Sequence, residues 1–342
     1  MARDLWLVWL LACGAAWTSA AEPDLKKGVT DPAQADADFA WQGEYFGTLC
    51  VRGCRQNGGL QVVALGEGRF SGLFYPGGLP GNGYTGGAKH KLAGERVGDV
   101  LTLRGDEVVA KLQAGRAVSV SSREGAFWGY LQPLYRYSLT AGAPPPPGSI
   151  VLFDGRSTER LKNAKVTERG LLQVGAETVD SFRDFILHVE FKTPYMPLAR
   201  GQARGNSGIY LQKRYEVQVL DSFGLEPQNN EAGGLYRFKA PDLNMSFPPL
   251  SWQTYDIHFQ AARFDDAGAK TAPARITVWH NGVIIHNNVA LENKTGGGSP
   301  EGPQPLPILL QNHGNPVEFR NVWIVDRSSP ACATPAVAKG GR

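Results

Sequence analysis

Glu216, Gln218 and Asp221 fall inside the six residues EVQVLD, part of the stretch NSGIYLQKRYEVQVLD that runs from Asn206 to Asp221. Carboxyl groups move protons and amides hold them in place, so acid–base chemistry would be sought here first. The pattern predicts two strands, Ser207–Leu211 and Tyr215–Leu220, with Lys213 and Arg214 at the break. In the second strand Val217 and Val219 take one face, which sends Glu216 and Gln218 to the other. Alternation alone is met equally well by a solvated outer face. His313, in LLQNHG just after Gln311, is the best placed of the histidines. A base, a metal ligand and a satisfied turn residue all fit a histidine beside glycine. His258, His280 and His286 sit on strand-like pieces and read as structural.

The elements that would position these groups are strands. The chain has 342 residues with 42 Gly and 23 Pro, and 10% of it is aromatic, a mix that suits short strands and tight turns. No long segment keeps the apolar spacing of an amphipathic helix. The formal net charge is only +3 and no basic block occurs, which argues against a nucleic-acid partner. Residues 38–140 read as a small β-rich domain, with strands such as Leu60–Leu65, Val100–Gly105 and Ala117–Ser122 between the turn signals at Asn57, Gly66 and Pro76. Its acids and histidines are scattered. Trp128, Tyr130 and Tyr135 could stack on a sugar, but a core or interdomain role suits them better. Residues 141–149, with four consecutive prolines, predict a stiff extended linker.

Residues 150–326 read as a second all-β domain. Its clearest strands are Phe185–Thr193, Trp252–Phe264 and Ala274–Val289, the last interrupted by the type I′ hairpin signal Asn281-Gly282. Many antiparallel strands without βα alternation predict a jelly-roll sandwich. Residues 327–342 are expected to be a disordered tail.

At the N-terminus, Arg3, the apolar run Leu5–Ala16 and the small residues Thr18-Ser19-Ala20 predict a signal peptide over residues 1–21 and an exported protein, periplasmic or secreted. Lipoprotein tethering at Cys13 fits less well, because Leu11 replaces the usual small residue. No other segment is apolar enough for a transmembrane span. Cys50 and Cys54 are expected to form a local disulfide in an oxidising compartment. Cys332, in the tail, has no evident partner.

LFDGRSTERL, GNSGIYLQKRYEVQVLDSFG, GGLY, WQTYDI, VWHNGVIIH and LLQNHGNPVEFRNVWI, in that order over Ile150 to about Val325, together resemble the 3-keto-disaccharide hydrolase domain family. The resemblance implies a concanavalin A-like jelly-roll β-sandwich, here preceded by a small β-rich accessory domain, acting on an oligosaccharide or glycoside oxidised to a ketone at carbon 3. A second, local resemblance is to laminarinase-type glycoside hydrolases, whose Glu-Ile-Asp-Ile-x-Glu strand matches Glu216 to Asp221 in spacing. There a bulge returns the third acid to the face of the first two. Here the middle carboxylate is Gln218, which weakens an ordinary retaining-glycosidase reading.

A ketone at carbon 3 acidifies the hydrogen on carbon 2. A base removes it, the glycosidic oxygen leaves from carbon 1, and water added to the enone completes a net hydrolysis. In that scheme Glu216 is the base, Asp221 the acid or alternative base, and His313 a second base or the ligand of a divalent metal that polarises the ketone. No spaced ligand set accompanies it. Gln218, Asn206, Arg214 and Gln311 would hold sugar oxygens, and Gly208 would let a ligand approach the backbone. Tyr236 would supply a stacking face; Trp252 could do so too, though a core position suits it better. Arg320 reads as a structural residue, making an ion pair or capping a loop. The competing readings are a conventional glycoside hydrolase on unoxidised sugar, a carbohydrate-binding module on the same face, and a structural protein with that face filled by loops.

Overall fold

The computed structural model describes residues 24–328, so the signal segment, Cys13, Cys332 and most of the tail lie outside the described residues. Eight antiparallel strands, β1 (Gly43–Val51), β2 (Cys54–Ala64), β3 (Arg69–Pro76), β4 (His90–Val97), β5 (Val100–Arg104), β6 (Val108–Leu112), β7 (Val118–Ser122) and β8 (Phe127–Leu134), close into a barrel because β1 pairs with both β2 and β8. Leu60, Val62, Phe70, Leu101, Val108 and Leu131 fill its interior.

Two expectations change here. Asn57-Gly58-Gly59 is not a turn but lies within β2. A side chain at Gly58 would begin 2.7 Å from the Leu49 side chain, and one at Gly59 would begin 2.7 Å from Leu79. Close packing, not chain reversal, is what these glycines serve. The reversal comes earlier, at Arg52 and Gly53, both with positive φ. Cys50 pairs with Arg55 while Val51 pairs with Cys54, so the two cysteines take opposite faces of the hairpin. Both are free and exposed, and the local disulfide is not formed.

The second part is a two-sheet sandwich. One sheet joins β9 (Ile150–Phe153), β11 (Leu172–Gln173), β13 (Asp184–Lys192), β16 (Gln253–Gln260), β17 (Ala274–His280), β18 (Val283–Leu291) and β20 (Glu318–Asp326). The other, in the order β10-β12-β19-β14-β15, joins Leu161–Lys162, Glu177–Thr178, Leu309–Leu310, Ser207–Leu211 and Tyr215–Val219. Phe185, Leu187, Val189 and Phe191 of β13 meet Ile209, Val217 and Val219 between the sheets in one apolar core. The protein is thus all-β, a jelly-roll sandwich preceded by a small β domain. Asn281 and Gly282, with φ of 53° and 79°, make the hairpin turn that their types predicted.

Barrel and sandwich touch directly. Tyr195 of the sandwich is buried in the barrel core, and its hydroxyl donates to Asp36 at 2.7 Å. Lys89 of the barrel ion-pairs with Glu226. The connector is docked where it leaves the barrel. Thr140 Oγ1 donates to Asp256 at 2.6 Å, the Gly142 amide donates to Glu190 at 2.5 Å, and the Ala143 carbonyl accepts from Asn321 at 3.0 Å. The prolines beyond it, Pro144–Pro147, are exposed. Trp128 packs on the barrel core, whereas Tyr130 and Tyr135 are 57% and 79% exposed and so are not core residues.

Candidate active site

The hairpin β14–β15 builds the site. Gln212 and Lys213 both carry φ of 50°, and the Arg214 amide donates to the Leu211 carbonyl at 3.0 Å, a tight reversal at the predicted break. The register then runs without a shift from Leu211 opposite Tyr215 to Ser207 opposite Val219. Tyr210 therefore faces Glu216 across the ladder, and Gly208 faces Gln218, all four on the side away from the core.

That side is not solvated. Glu216 is 2% exposed and Gln218 1%. The strand-like segment Gly233–Tyr236 runs alongside β15, with the Tyr236 amide donating to the Glu216 carbonyl at 3.1 Å. Beyond it the loop Thr295–Gly298 closes in, and Thr295 Oγ1 accepts from the Glu216 amide at 2.7 Å. Glycine is required where this loop meets the site, because a side chain at Gly296 would start 2.5 Å from the Tyr236 ring.

The Glu216 carboxyl lies over Gly208. A β-carbon there would stand 2.3 Å from Glu216 Oε1, so the glycine makes room for a neighbouring side chain rather than for a ligand. Gln218, turned to satisfy its surroundings, donates to the Ser207 carbonyl at 2.8 Å and to Glu216 Oε1 at 3.1 Å. Glu216 Oε2 is buried with no partner among the described residues. Burial, against the lowering effect of the Tyr210 hydroxyl, pushes the Glu216 carboxyl up to about 7. Tyr210 itself is pushed up by burial and by the nearby Glu216 charge. Asn206 is 1% exposed, with its side-chain amide donating to the Gln202 carbonyl at 2.7 Å. Gln311 completes the row. Its backbone amide donates to the Gly208 carbonyl at 2.8 Å, and its side-chain Oε1 is buried without a partner.

Four other candidates are placed differently. β15 ends at Val219 with no bulge in its pairing, and Asp221 lies beyond the ladder. Its carboxylate takes the Arg204 Nε at 2.7 Å in a buried ion pair, so the expected free acid is already committed. Arg214 does not reach out to a sugar. Its guanidinium donates to the carbonyls of Pro300 at 2.8 Å and Gln304 at 2.9 Å, stapling the loop that begins at Thr295. Tyr236 lies beside the site, but its ring is taken up by the Arg237 guanidinium at 5.4 Å and by Gly296. His313 is exposed on the Asn312–Gly314 turn, and the described residues contain no group of three or more potential metal ligands.

Trp252 is elsewhere, beyond the other sheet, with the Arg320 guanidinium 4.0 Å from its ring centre. His280 and His286 are buried, and desolvation pulls them down to about 3 and about 4, consistent with neutral structural histidines. His286 Nε2 lies 2.8 Å from the Gly233 carbonyl and helps hold the segment beside β15. Tyr210, Gln202 and Thr295 were not singled out from the sequence. Tyr210 was within reach of it: once Leu211 and Tyr215 close the hairpin, counting back one pair sets Tyr210 against Glu216.

The arrangement is thus one buried carboxyl titrating near neutrality, ringed by amides and a tyrosine hydroxyl, with no second free carboxylate beside it among the described residues. Such a site can accept one proton and place neutral hydrogen-bonding groups around it. Among solved structures, a "putative glycosyl hydrolase" from Parabacteroides distasonis is 34% identical, covering 53% of this chain and 84% of its own, with a TM-score of 0.49. Two further structures from that organism, described in the same words, are 19% and 21% identical and cover 52% of this chain, with TM-scores of 0.39 and 0.36. They are themselves covered over 94% and 98% of their length. No curated protein matches significantly. A family model described as a 3-keto-alpha-glucoside-1,2-lyase-like domain matches residues 148–325, the whole sandwich and more than half of the chain. The protein belongs to the 3-keto-alpha-glucoside-1,2-lyase-like family.

Proposed function

We propose that this protein is an exported carbohydrate-active enzyme that cleaves 3-keto-glycosides by elimination, with Glu216 as the base. The observation that carries the reading is the solitary state of Glu216. Hydrolysis of an unoxidised glycoside needs two carboxyl groups flanking the bond. Here Gln218 replaces one candidate and Asp221 is tied to Arg204 at 2.7 Å. Elimination next to a ketone needs one base. Glu216 takes the hydrogen from carbon 2, and the electron pair passes to the ketone oxygen as an enolate. Its collapse forms the carbon 1–carbon 2 double bond and breaks the carbon 1–oxygen bond. The departing oxygen takes the proton that Glu216 removed, which returns the base to its ionised form, and water added across the new double bond gives net hydrolysis.

Gln311 Oε1, buried without a partner, can accept from a sugar hydroxyl, and Gln218 and Asn206 hold the row together without adding a charge beside the base. A base poised near pH 7 combines a large deprotonated fraction with useful proton affinity. With Glu216 only 2% exposed, substrate reaches Oε2 after the groups above it move aside. That burial is what favours a second reading, in which the row is a structural polar ladder.

Matched 3-keto and unoxidised disaccharides, incubated with wild type and Glu216→Gln, with and without a chelator, separate the two. The expected result is turnover of the keto sugar alone, lost in the variant. Turnover of neither sugar defeats the enzyme reading, and undiminished turnover in the variant defeats the choice of base. A chelator effect would revive a metal at His313.

A further inference from the structure

A cavity of about 540 Å³ opens between the barrel and the far sheet of the sandwich. It is remote from Glu216. Arg320, in its wall, pairs across the ladder with Glu190 of β13 on the outer side of the seven-stranded sheet, whereas Glu216 faces outward from the opposite sheet. The apolar core lies between them.

The barrel contributes Gln42, Tyr135 and Tyr137 to this cavity, and the sandwich contributes Pro249, Trp252 and Arg320. Tyr135 and Tyr137 are 79% and 82% exposed, two rings at the mouth that the fold leaves unburied. Trp252 is no platform, because Arg320 already covers it at 4.0 Å. Unspent donors stand behind the rings. Gln42 Nε2 is buried without a partner, and Arg320 donates to Glu190 through Nε alone at 2.7 Å, its terminal nitrogens having no acceptor among the described residues. The charges cancel locally. Arg136 is held by both oxygens of Glu44, at 2.6 and 2.5 Å, and Arg320 is balanced by Glu190.

Exposed rings beside unspent hydrogen-bond donors, in a wall whose charges are internally paired, suit a neutral ligand with apolar faces and a rim of hydroxyls. A sugar ring has that chemistry, and the volume lies in the usual range of roughly 300–1,000 Å³ for small-ligand sites. We infer that the cavity between barrel and sandwich is a second saccharide-binding site, taking a neutral glycan with Tyr135 and Tyr137 as its platforms. It would anchor a chain on the face opposite Glu216 and give the barrel a role in binding.

The test is calorimetric titration of the full chain with four neutral probes: maltohexaose, cellohexaose, laminarihexaose and xylohexaose. Wild type, the Tyr135→Ala/Tyr137→Ala double variant and Glu216→Gln are compared. Saturable binding of at least one probe is expected, weakened tenfold or more in the tyrosine variant and kept in Glu216→Gln. Both tyrosines are exposed, so the double variant should melt as wild type does, and its thermal transition checks this. No binding of any probe to wild type, or equal binding to the tyrosine variant, overturns the inference. Binding lost in Glu216→Gln but kept in the tyrosine variant also overturns it, by moving the site to the other face. Turnover of keto sugar is read separately, so either proposal can fail alone.

Discussion

Glu190 and Glu216 are the same residue in nearly the same setting, each on a sandwich strand, each pointing away from the core, exposed 0% and 2%. Their acidities are driven in opposite directions. Burial alone would raise both. At Glu190 the hydrogen bonds from His188, Asn321, the Gly142 amide and Arg320 overcome it and hold the carboxyl at about 2. At Glu216 burial carries the carboxyl up to about 7 against weaker opposition, from the Tyr210 hydroxyl and the Gln218 amide 3.1 Å from Oε1. The lesson is that partners, more than depth, decide what a buried carboxyl can do. Glu190 is spent on architecture, since it ties the connector's Gly142 amide to Arg320 and Asn321 of the sandwich. Glu216 keeps one oxygen free.

The largest effect should come from Glu216→Gln, which is expected to lower kcat/KM on a keto sugar by about 10²–10⁴, the range for removing a general base. Steady-state kinetics check this, and a loss below tenfold would place Glu216 with Glu190 as structural.

Glu190→Gln should instead leave turnover per folded molecule unchanged and cost about 1.5–3 kcal/mol of stability, because charge-assisted bonds to half-exposed Arg320 and to the Gly142 amide are weakened while His188 keeps Asp256. Burial alone would lower His188, but the Asp256 and Glu190 carboxylates that its ring faces leave it raised overall. Denaturant unfolding measures the cost.

Gly208→Ala comes next. Its new carbon would meet Glu216 Oε1 at 2.3 Å, so the base must shift, and a misplacement on the order of 1 Å can cost about 10²-fold in kcat. Thermal melting beside the kinetics shows whether the fold survives.

The smallest and most diagnostic effects are in pH. Activity should fall as pH drops through about 7, because the base becomes protonated. Tyr210→Phe removes the group that lowers this carboxyl and should move that limb to higher pH. Stability should respond in opposite windows. Glu216, raised from 4.5, contributes stability that is complete below 4.5 and lost as pH rises through about 7. Glu190, depressed from 4.5, contributes stability present above 4.5 and lost as pH falls through about 2. Glu216→Gln should therefore melt higher than wild type above pH 7, a comparison one calorimetric series can make.

Much of this was legible before any coordinates. Alternation in EVQVLD sends Glu216 and Gln218 to one face, and the register agrees. Where the reading missed, a through-space partner decided. Nothing near Asp221 in sequence marks Arg204, seventeen residues earlier, as its counter-ion. Arg214 is recruited by carbonyls some ninety residues on. The glycines at 58 and 59 look like a turn because turns and close packing both select glycine, and local sequence does not separate the two.

Local chemistry by itself determined the strands, the hairpin at Asn281-Gly282, the family and the row of polar groups beginning at Glu216. Those follow from side-chain period and turn preference, which act over a few residues. Only the tertiary structure decided that Glu216 is buried and alone, that Glu190 is buried and crowded, and that the connector leaves the barrel docked. Desolvation and hydrogen bonding depend on which distant groups arrive beside a carboxyl, and that is settled when the sheets and loops close over it.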